Sequence, residues 1–205
     1  MKTNRFLLAA CVSFALAFTI SCSSDDGDGT GGGDSCNIQD YKTVTIGTQT
    51  WMAENSNCNV SGSVCYGNDP ANCAKYGRLY NWETAKTVCP SGWHLPSNEE
   101  WTTLTDYVES QGDCNYYCAG TRLKAQSGWN DDGNGTNNHG FSALPGGLGY
   151  SDGSFYDVGD YGFWWSASEY DSSNAYYRGM GNGSEIIDWG DPGKTNLFSV
   201  RCIQD

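Results

Sequence analysis

Positive charge is what this chain has least of. Eleven Lys and Arg stand against 24 Asp and Glu in 205 residues, a formal net charge of −13. That balance excludes a surface that tracks nucleic-acid phosphates, and adhesion to anionic lipid by charge alone. Charged residues of either sign make up only 17% while aromatics reach 14%, so most of the chain is too apolar and too aromatic to be disordered. No Gly-x-Ser-x-Gly, His-Glu-x-x-His or phosphate-binding loop is present. There is no Cys-x-x-Cys, and His94 and His139 flank no cysteine pair, so a zinc site is not indicated. Lys, Ala, Leu and Glu are scarce in the second half, which argues against a helix bundle.

Long apolar runs are missing too, except at the start. Lys2 and Arg5 precede an uncharged run from Phe6 to Ile20, about 15 residues and shorter than a membrane-spanning helix. The run ends at Ser21-Cys22 and is followed by Ser23-Ser24-Asp25-Asp26. A small residue, a cysteine and a polar tether look like a bacterial lipoprotein signal: residues 1–21 are removed and Cys22 carries the lipid. Thr19 stands where Leu is usual. Leu8-Ala9-Ala10-Cys11 fits the motif letters better but leaves too short an apolar core, and cleavage to a free secreted protein is the other alternative. Residues 22–35 hold no apolar side chain besides Cys22 and read as an acidic Gly/Ser tether, and 36–205 as the folded domain. The expected location is the outer membrane, lipid-anchored, facing the cell surface or periplasm.

Ten cysteines are too many for an ordinary cytosolic protein. Setting aside Cys11 and Cys22 leaves Cys36, Cys58, Cys65, Cys73, Cys89, Cys114, Cys118 and Cys202, an even set in a chain sent to an oxidising compartment, so disulfides are expected. Sequence allows about 105 connectivities for such a set. Local spacing suggests Cys65–Cys73 across a turn, Cys114–Cys118 across a Tyr-rich loop and Cys89–Cys202 from middle to end, with Cys36–Cys58 left over.

Tyr41–Glu54 alternates around Gly47-Thr48, a hairpin signal. Asn81–Val88 is a short helix candidate stopped by Pro90. Ser97-Asn98-Glu99-Glu100 forms a capping box, and Trp101, Leu104 and Val108 follow at helical spacing, so 98–110 is predicted as an amphipathic helix. A further short helix is expected over Thr121–Ala125. Strand candidates are Phe141–Leu144, Gly162–Ser168, Ala175–Met180, Glu185–Trp189 and Phe198–Ile203, set among Gly/Asn/Asp loops. The predicted class is α+β with a loop-rich β half.

Six segments together are distinctive: Gln49–Asn55, Tyr76–Trp82, Cys89–Ser97, Gly140–Gly147, Phe163–Ser168 and Phe198–Cys202. In this order they resemble the Fibrobacter succinogenes major paralogous domain, over about Tyr41 to Asp205. Trp93-His94-Leu95-Pro96-Ser97 with Glu100-Trp101 is also similar to a helix start in formylglycine-generating-enzyme-like proteins. The resemblance implies a C-type-lectin-like variant fold: two short helices on small twisted antiparallel sheets with long Gly-rich loops. It implies a secreted or lipid-anchored surface protein, and the Cys65/Cys73 and Cys89/Cys202 pairs fit its pattern. The oxidase branch needs two free thiols near the C-terminal end for copper. Here only Cys202 follows Cys118, so oxidase activity is not expected.

Two constellations are candidates for binding. The loop Trp129–Asn138 is dense in oxygen donors, and Asp131, Asp132, Asn134 and Asn137 could ligate Ca²⁺, against a plain reading as a turn cluster. Tyr150, Tyr156, Tyr161, Trp164, Trp165 and Tyr177 could stack on sugars through aromatic faces, against a reading as core. Consecutive Trp164 and Trp165 should point one in and one out. His94 is read as a structural hydrogen-bonding residue, and Arg78, Arg178 and Arg201 as buried partners of carboxylates. The function expected is a non-catalytic, lipid-anchored surface recognition module binding a polysaccharide or a cell-envelope protein, with no cofactor beyond the calcium candidate. The alternatives are an enzyme acting on carbohydrate or protein, and a structural envelope protein.

Overall fold

The hairpin expected around Gly47 opens the fold. The computed structural model describes residues 36–112 and 117–205. Strand β1 (Thr43–Ile46) pairs antiparallel with β2 (Gln49–Met52), Ile46 opposite Gln49. Gly47 takes the left-handed φ of +61° that the first turn position of such a hairpin requires. Then come β3 (Ser63–Val64), helix α1 (Pro70–Tyr76) and β4 (Leu79–Tyr80). Helix α1 was not anticipated, although its signals are local: Asp69 accepts from the Ala71 amide at 2.9 Å, and Pro70 opens the first turn.

Helix α2 (Trp82–Ala85) is shorter than Asn81–Val88, with Asn81 as its cap at 3.0 Å from the Thr84 amide. Strand β5 (Trp93–His94) precedes α3 (Asn98–Ser110), which has the predicted bounds and a complete capping box. Trp101, Leu104 and Val108 are its buried face. Helix α4 covers Ala119–Leu123.

The second half is β6 (Gly146–Gly149), β7 (Phe155–Val158), β8 (Tyr161–Glu169), β9 (Ala175–Gly181), β10 (Asp188–Gly190), β11 (Phe198–Ser199) and β12 (Ile203–Gln204). Phe141–Leu144 makes only a single parallel bridge, Lys124 with Ala143. Ser142 sits at φ +55°, outside strand geometry. The expected strand Phe198–Ile203 divides. Its start joins an eight-stranded sheet of order β10-β9-β8-β11-β4-β3 with β6 and β7 attached at β8, and its end joins a four-stranded sheet of order β1-β2-β12-β5. The architecture is α+β, and its layout is compatible with the lectin-like variant.

Two cores lie on opposite faces of β8. One joins α3, α4 and the first hairpin through Trp51, Trp101, Phe141 and Trp164. The other joins Tyr80, Trp82, Trp165, Phe198 and Cys202. The expectation that Trp164 and Trp165 divide between core and solvent is therefore corrected. Alternation does point them apart, but the sheet is covered on both sides and each indole is fully buried.

The chain crosses between the sheets at Val200–Cys202, and Arg201 is fully buried there. Its guanidinium donates to Asn55 Oδ1 at 2.7 and 3.2 Å and to the Phe141 carbonyl, and lies 4.2 Å from the Phe141 ring centroid. Asn55 Oδ1 also accepts from the Trp164 indole at 2.8 Å. Burial pushes the Arg201 pKa down to about 9, with the charge of Glu54 opposing, so it stays cationic at neutral pH. The reading of the three arginines as carboxylate partners is corrected. Arg178 donates to the carbonyls of Tyr177 and Asn98, and Arg78 to Asn59 and Ser63. Carboxylates are scarce in the interior, and amide and carbonyl dipoles take their place.

Disulfides Cys36–Cys58, Cys65–Cys73 and Cys89–Cys202 match the expected pairs. Cys118 is disulfide-bonded. Cys114 lies outside the described residues, as do Cys22 and the whole of the expected leader and tether.

Candidate recognition site

The β6–β7 hairpin carries exposed aromatic and polar groups beside concave surface. Leu148 pairs with Tyr156 and Gly149 with Phe155 across it. The tip is a tight turn: Tyr150 N–H donates to the Ser154 carbonyl at 2.9 Å, and Asp152 accepts from the Ser154 hydroxyl and amide at 2.6 and 2.9 Å. Those two hydrogen bonds hold the Asp152 carboxyl below its usual range. The hairpin is tied to the loop before β11 by reciprocal bonds between Gly149 and Leu197, at 2.8 and 3.0 Å.

Tyr150 and Tyr156 meet edge to face, ring centroids 5.8 Å apart, with 40% and 53% of their surface exposed. A cleft of about 540 Å³ opens on one side, between these tyrosines and Asp152, Ser154 and Asp157. A second, of about 530 Å³, also borders Tyr150. Phe155, Leu197 and Val64 give it apolar walls, and Asn68, Asn81 and Glu83 give it polar ones. Tyr150 is the wall common to both. Lys194 also lines the second cleft and is held by several partners: its ammonium pairs with Glu169, donates to the carbonyls of Asp171 and Ser172 at 2.9 and 3.1 Å, and lies over the Trp82 ring.

The remaining aromatic candidates fall elsewhere. Tyr161 is exposed at the start of β8 and stacks on Phe163 at 5.7 Å, and Tyr177 meets the same Phe163 edge at 5.6 Å. These rings rest on glycines of neighbouring strands. A Cβ on Gly181 would come within 2.8 Å of the Tyr161 ring, and one on Gly190 within 2.6 Å of the Tyr177 ring. Trp164 and Trp165, being buried, face no ligand.

Two of the four calcium candidates are committed to backbone amides. Asn134 Oδ1 accepts from the Trp129 amide at 3.1 Å and Asn137 Oδ1 from the Ser142 amide at 2.7 Å, so both face their own loop. Asp131, Asp132 and Asn137 have φ of +51°, +58° and +50°, as the turn-cluster reading requires. Among the described residues no three His, Cys, Asp or Glu side chains gather where they could hold a metal ion. Beside the loop, the carbonyls of Gly181, Asn182 and Ser184 converge on the Lys124 ammonium at 2.9, 3.4 and 2.9 Å. This lysine is buried and its pKa is lowered by desolvation, with Glu185 opposing. Nothing in the sequence around Lys124 announced that role.

His94 has both ring nitrogens engaged, Nδ1 with Asp205 at 2.7 Å and Nε2 with Glu100 at 2.8 Å. Burial lowers its pKa, but the two carboxylates outweigh it and the net shift is upward. An imidazole held between two carboxylates has no free nitrogen to act as a base, consistent with a structural reading.

The match to known families follows the same residues. The family model of the Fibrobacter succinogenes major domain matches residues 44–204, which takes in both sheets and the hairpin site. This chain belongs to that family. Neither a curated protein nor a solved structure matches it. The family match covers every segment on which the resemblance rested. Cys36 lies just outside it.

Proposed function

We propose that this member of the Fibrobacter succinogenes major domain family is a non-catalytic surface recognition module. It is tethered to the outer membrane through a lipid on Cys22 and binds polysaccharide at the β6–β7 hairpin. The observation that carries the reading is the exposed Tyr150–Tyr156 pair, whose Tyr150 borders two clefts lined by rings and by carboxylate, amide or hydroxyl groups. Aromatic faces bury the C–H faces of sugars, and ringed polar groups take the hydroxyls. The acidic net charge favours an uncharged glycan over a polyanion. A non-catalytic role is supported by His94, whose ring nitrogens are both committed, and by Cys202, whose sulfur is bonded to Cys89. The leader and tether composition supports the anchor. A glycan array probed with the full-length chain, with and without EDTA, tests the reading. The expected result is binding to neutral glycans that EDTA leaves unchanged. Capture of an envelope protein together with silence on every glycan would replace polysaccharide by a protein partner.

A further inference from the structure

The two clefts that border Tyr150 differ in chemistry, and the difference says what each can hold. One is lined by Asp152, Ser154 and Asp157 beside the tyrosines. The other has Val64, Phe155 and Leu197 as apolar walls. Those walls are packed in place. A Cβ on Gly149 would meet the Phe155 ring at 3.1 Å and a Leu197 methyl at 3.2 Å, so both side chains converge over that glycine. The Tyr66 ring backs Phe155, with centroids 5.3 Å apart. At about 530 Å³ the second cleft has the size of a ligand site, and it has the usual make-up of one, apolar surface with a few polar groups set in it.

The polar groups narrow the occupant. Asn68, Ser151 and Thr195 line the cleft and are exposed, and among the described residues their side chains have no hydrogen-bond partner. The two charged side chains of the lining are both taken: Glu83 pairs with Lys86 at 2.8 Å, and Lys194 pairs with Glu169. The cleft therefore offers amide and hydroxyl hydrogen bonds beside an apolar wall, with no unpaired charge. A plain hexose would turn hydroxyls against Phe155, Leu197 and Val64, which strips their water and returns no partner. An acetamido group suits the cleft better. Its methyl takes the apolar wall, and its N–H and C=O match an uncommitted side-chain amide, which both accepts and donates. We propose that this cleft takes the acetamido group of an N-acetylhexosamine unit, with the sugar ring against Tyr150. The inference rests on the polysaccharide reading of the hairpin and narrows it to one class of glycan.

The test is calorimetric titration of the full-length chain with chitotetraose, its de-N-acetylated form and cellotetraose. These share one backbone and differ only in carrying acetamido, ammonium or hydroxyl at C2. The expected result is that chitotetraose binds at least about tenfold tighter than cellotetraose. Asn68→Gly/Thr195→Val should weaken chitotetraose about fivefold or more and erase most of that preference. Glycine accepts the φ of +57° at Asn68, and Thr195 is exposed, so the melting temperature should hold. Thr195→Val alone carries the test if the double variant unfolds. Equal affinity for chitotetraose and cellotetraose would overturn the acetamido assignment and leave the polysaccharide reading standing. So would array hits confined to glycans without that group. Tightest binding of the de-N-acetylated form would show attraction to free carboxylates and overturn the assignment too. An unchanged preference in a folded variant would overturn the placement in this cleft. Silence on all three probes and on the whole array would remove both readings.

Discussion

The part of the domain before residue 112 and the part after residue 117 are held by different physics. The first is stapled: Cys36–Cys58 and Cys65–Cys73 lie wholly within it, and its helices begin at side-chain caps on Asp69, Asn81 and Ser97. The second also holds a bonded cysteine, Cys118, but relies besides on backbone carbonyls gathered on buried cations, Lys124 and Arg201, and on rings laid over Gly181 and Gly190. Cys89–Cys202 joins the two. The difference teaches where a ligand surface can be built. Stapling and capping leave few spare aromatics, while the glycine-rich half can lay some rings flat and leave others standing in solvent.

Each half can be broken on its own terms. Removing Cys89–Cys202 by Cys89→Ala/Cys202→Ala opens a loop with a sequence separation of 113 residues. By loop entropy this should cost about 5 kcal/mol, read as a large fall in the denaturation midpoint. Arg201→Met strands the Phe141 carbonyl in the core and leaves Asn55 Oδ1 with the Trp164 indole as its donor. A loss of about 2–3 kcal/mol is expected from the orphaned carbonyl and the weakened Asn55 acceptor, and a smaller loss would show that the Phe141 carbonyl finds another donor. Gly190→Ala pushes a methyl into the Tyr177 ring and should cost roughly 1–3 kcal/mol by overpacking. An unchanged melting temperature would mean that the ring swings away freely.

Smaller still is the pH response of the His94–Glu100–Asp205 link. The folded pKa of His94 is raised, so its stabilisation is present in full below the ordinary 6.5 and fades as pH rises through the raised value. Glu100 is shifted down: burial acts the other way, but the Ser97 and His94 hydrogen bonds prevail. Its stabilisation is present above the ordinary 4.5 and fades as pH falls. Melting temperature against pH should therefore plateau between those limits, and His94→Gln should flatten the alkaline side.

Much of the first half was legible because its signals are local. The Ser97 capping box and the 3- and 4-residue spacing of Trp101, Leu104 and Val108 gave α3 its full extent. The hairpin at Gly47 was equally plain. Strand β6 was missed because its sequence, Gly146-Gly147-Leu148-Gly149, has no β propensity. It is a strand only because the neighbouring β7 and β8 make it one. The site was half legible. Composition singled out Tyr150 and Tyr156, but only the register of the β6–β7 hairpin shows that they meet, and only the layers packed on both faces of β8 show that Trp164 and Trp165 are enclosed. Asn68, Asn81 and Glu83, which complete a cleft wall, come from the stapled half and carry no sequence signal tying them to Tyr150.

The claim that the β6–β7 hairpin is where polysaccharide is recognised is tested most directly by one titration. The full-length chain and its Tyr150→Ala/Tyr156→Ala variant are titrated calorimetrically with the best glycan from the array. The account predicts a Kd at least about tenfold weaker in the variant, with the melting temperature shifted little because both rings are exposed. An unchanged Kd in a folded variant would contradict it.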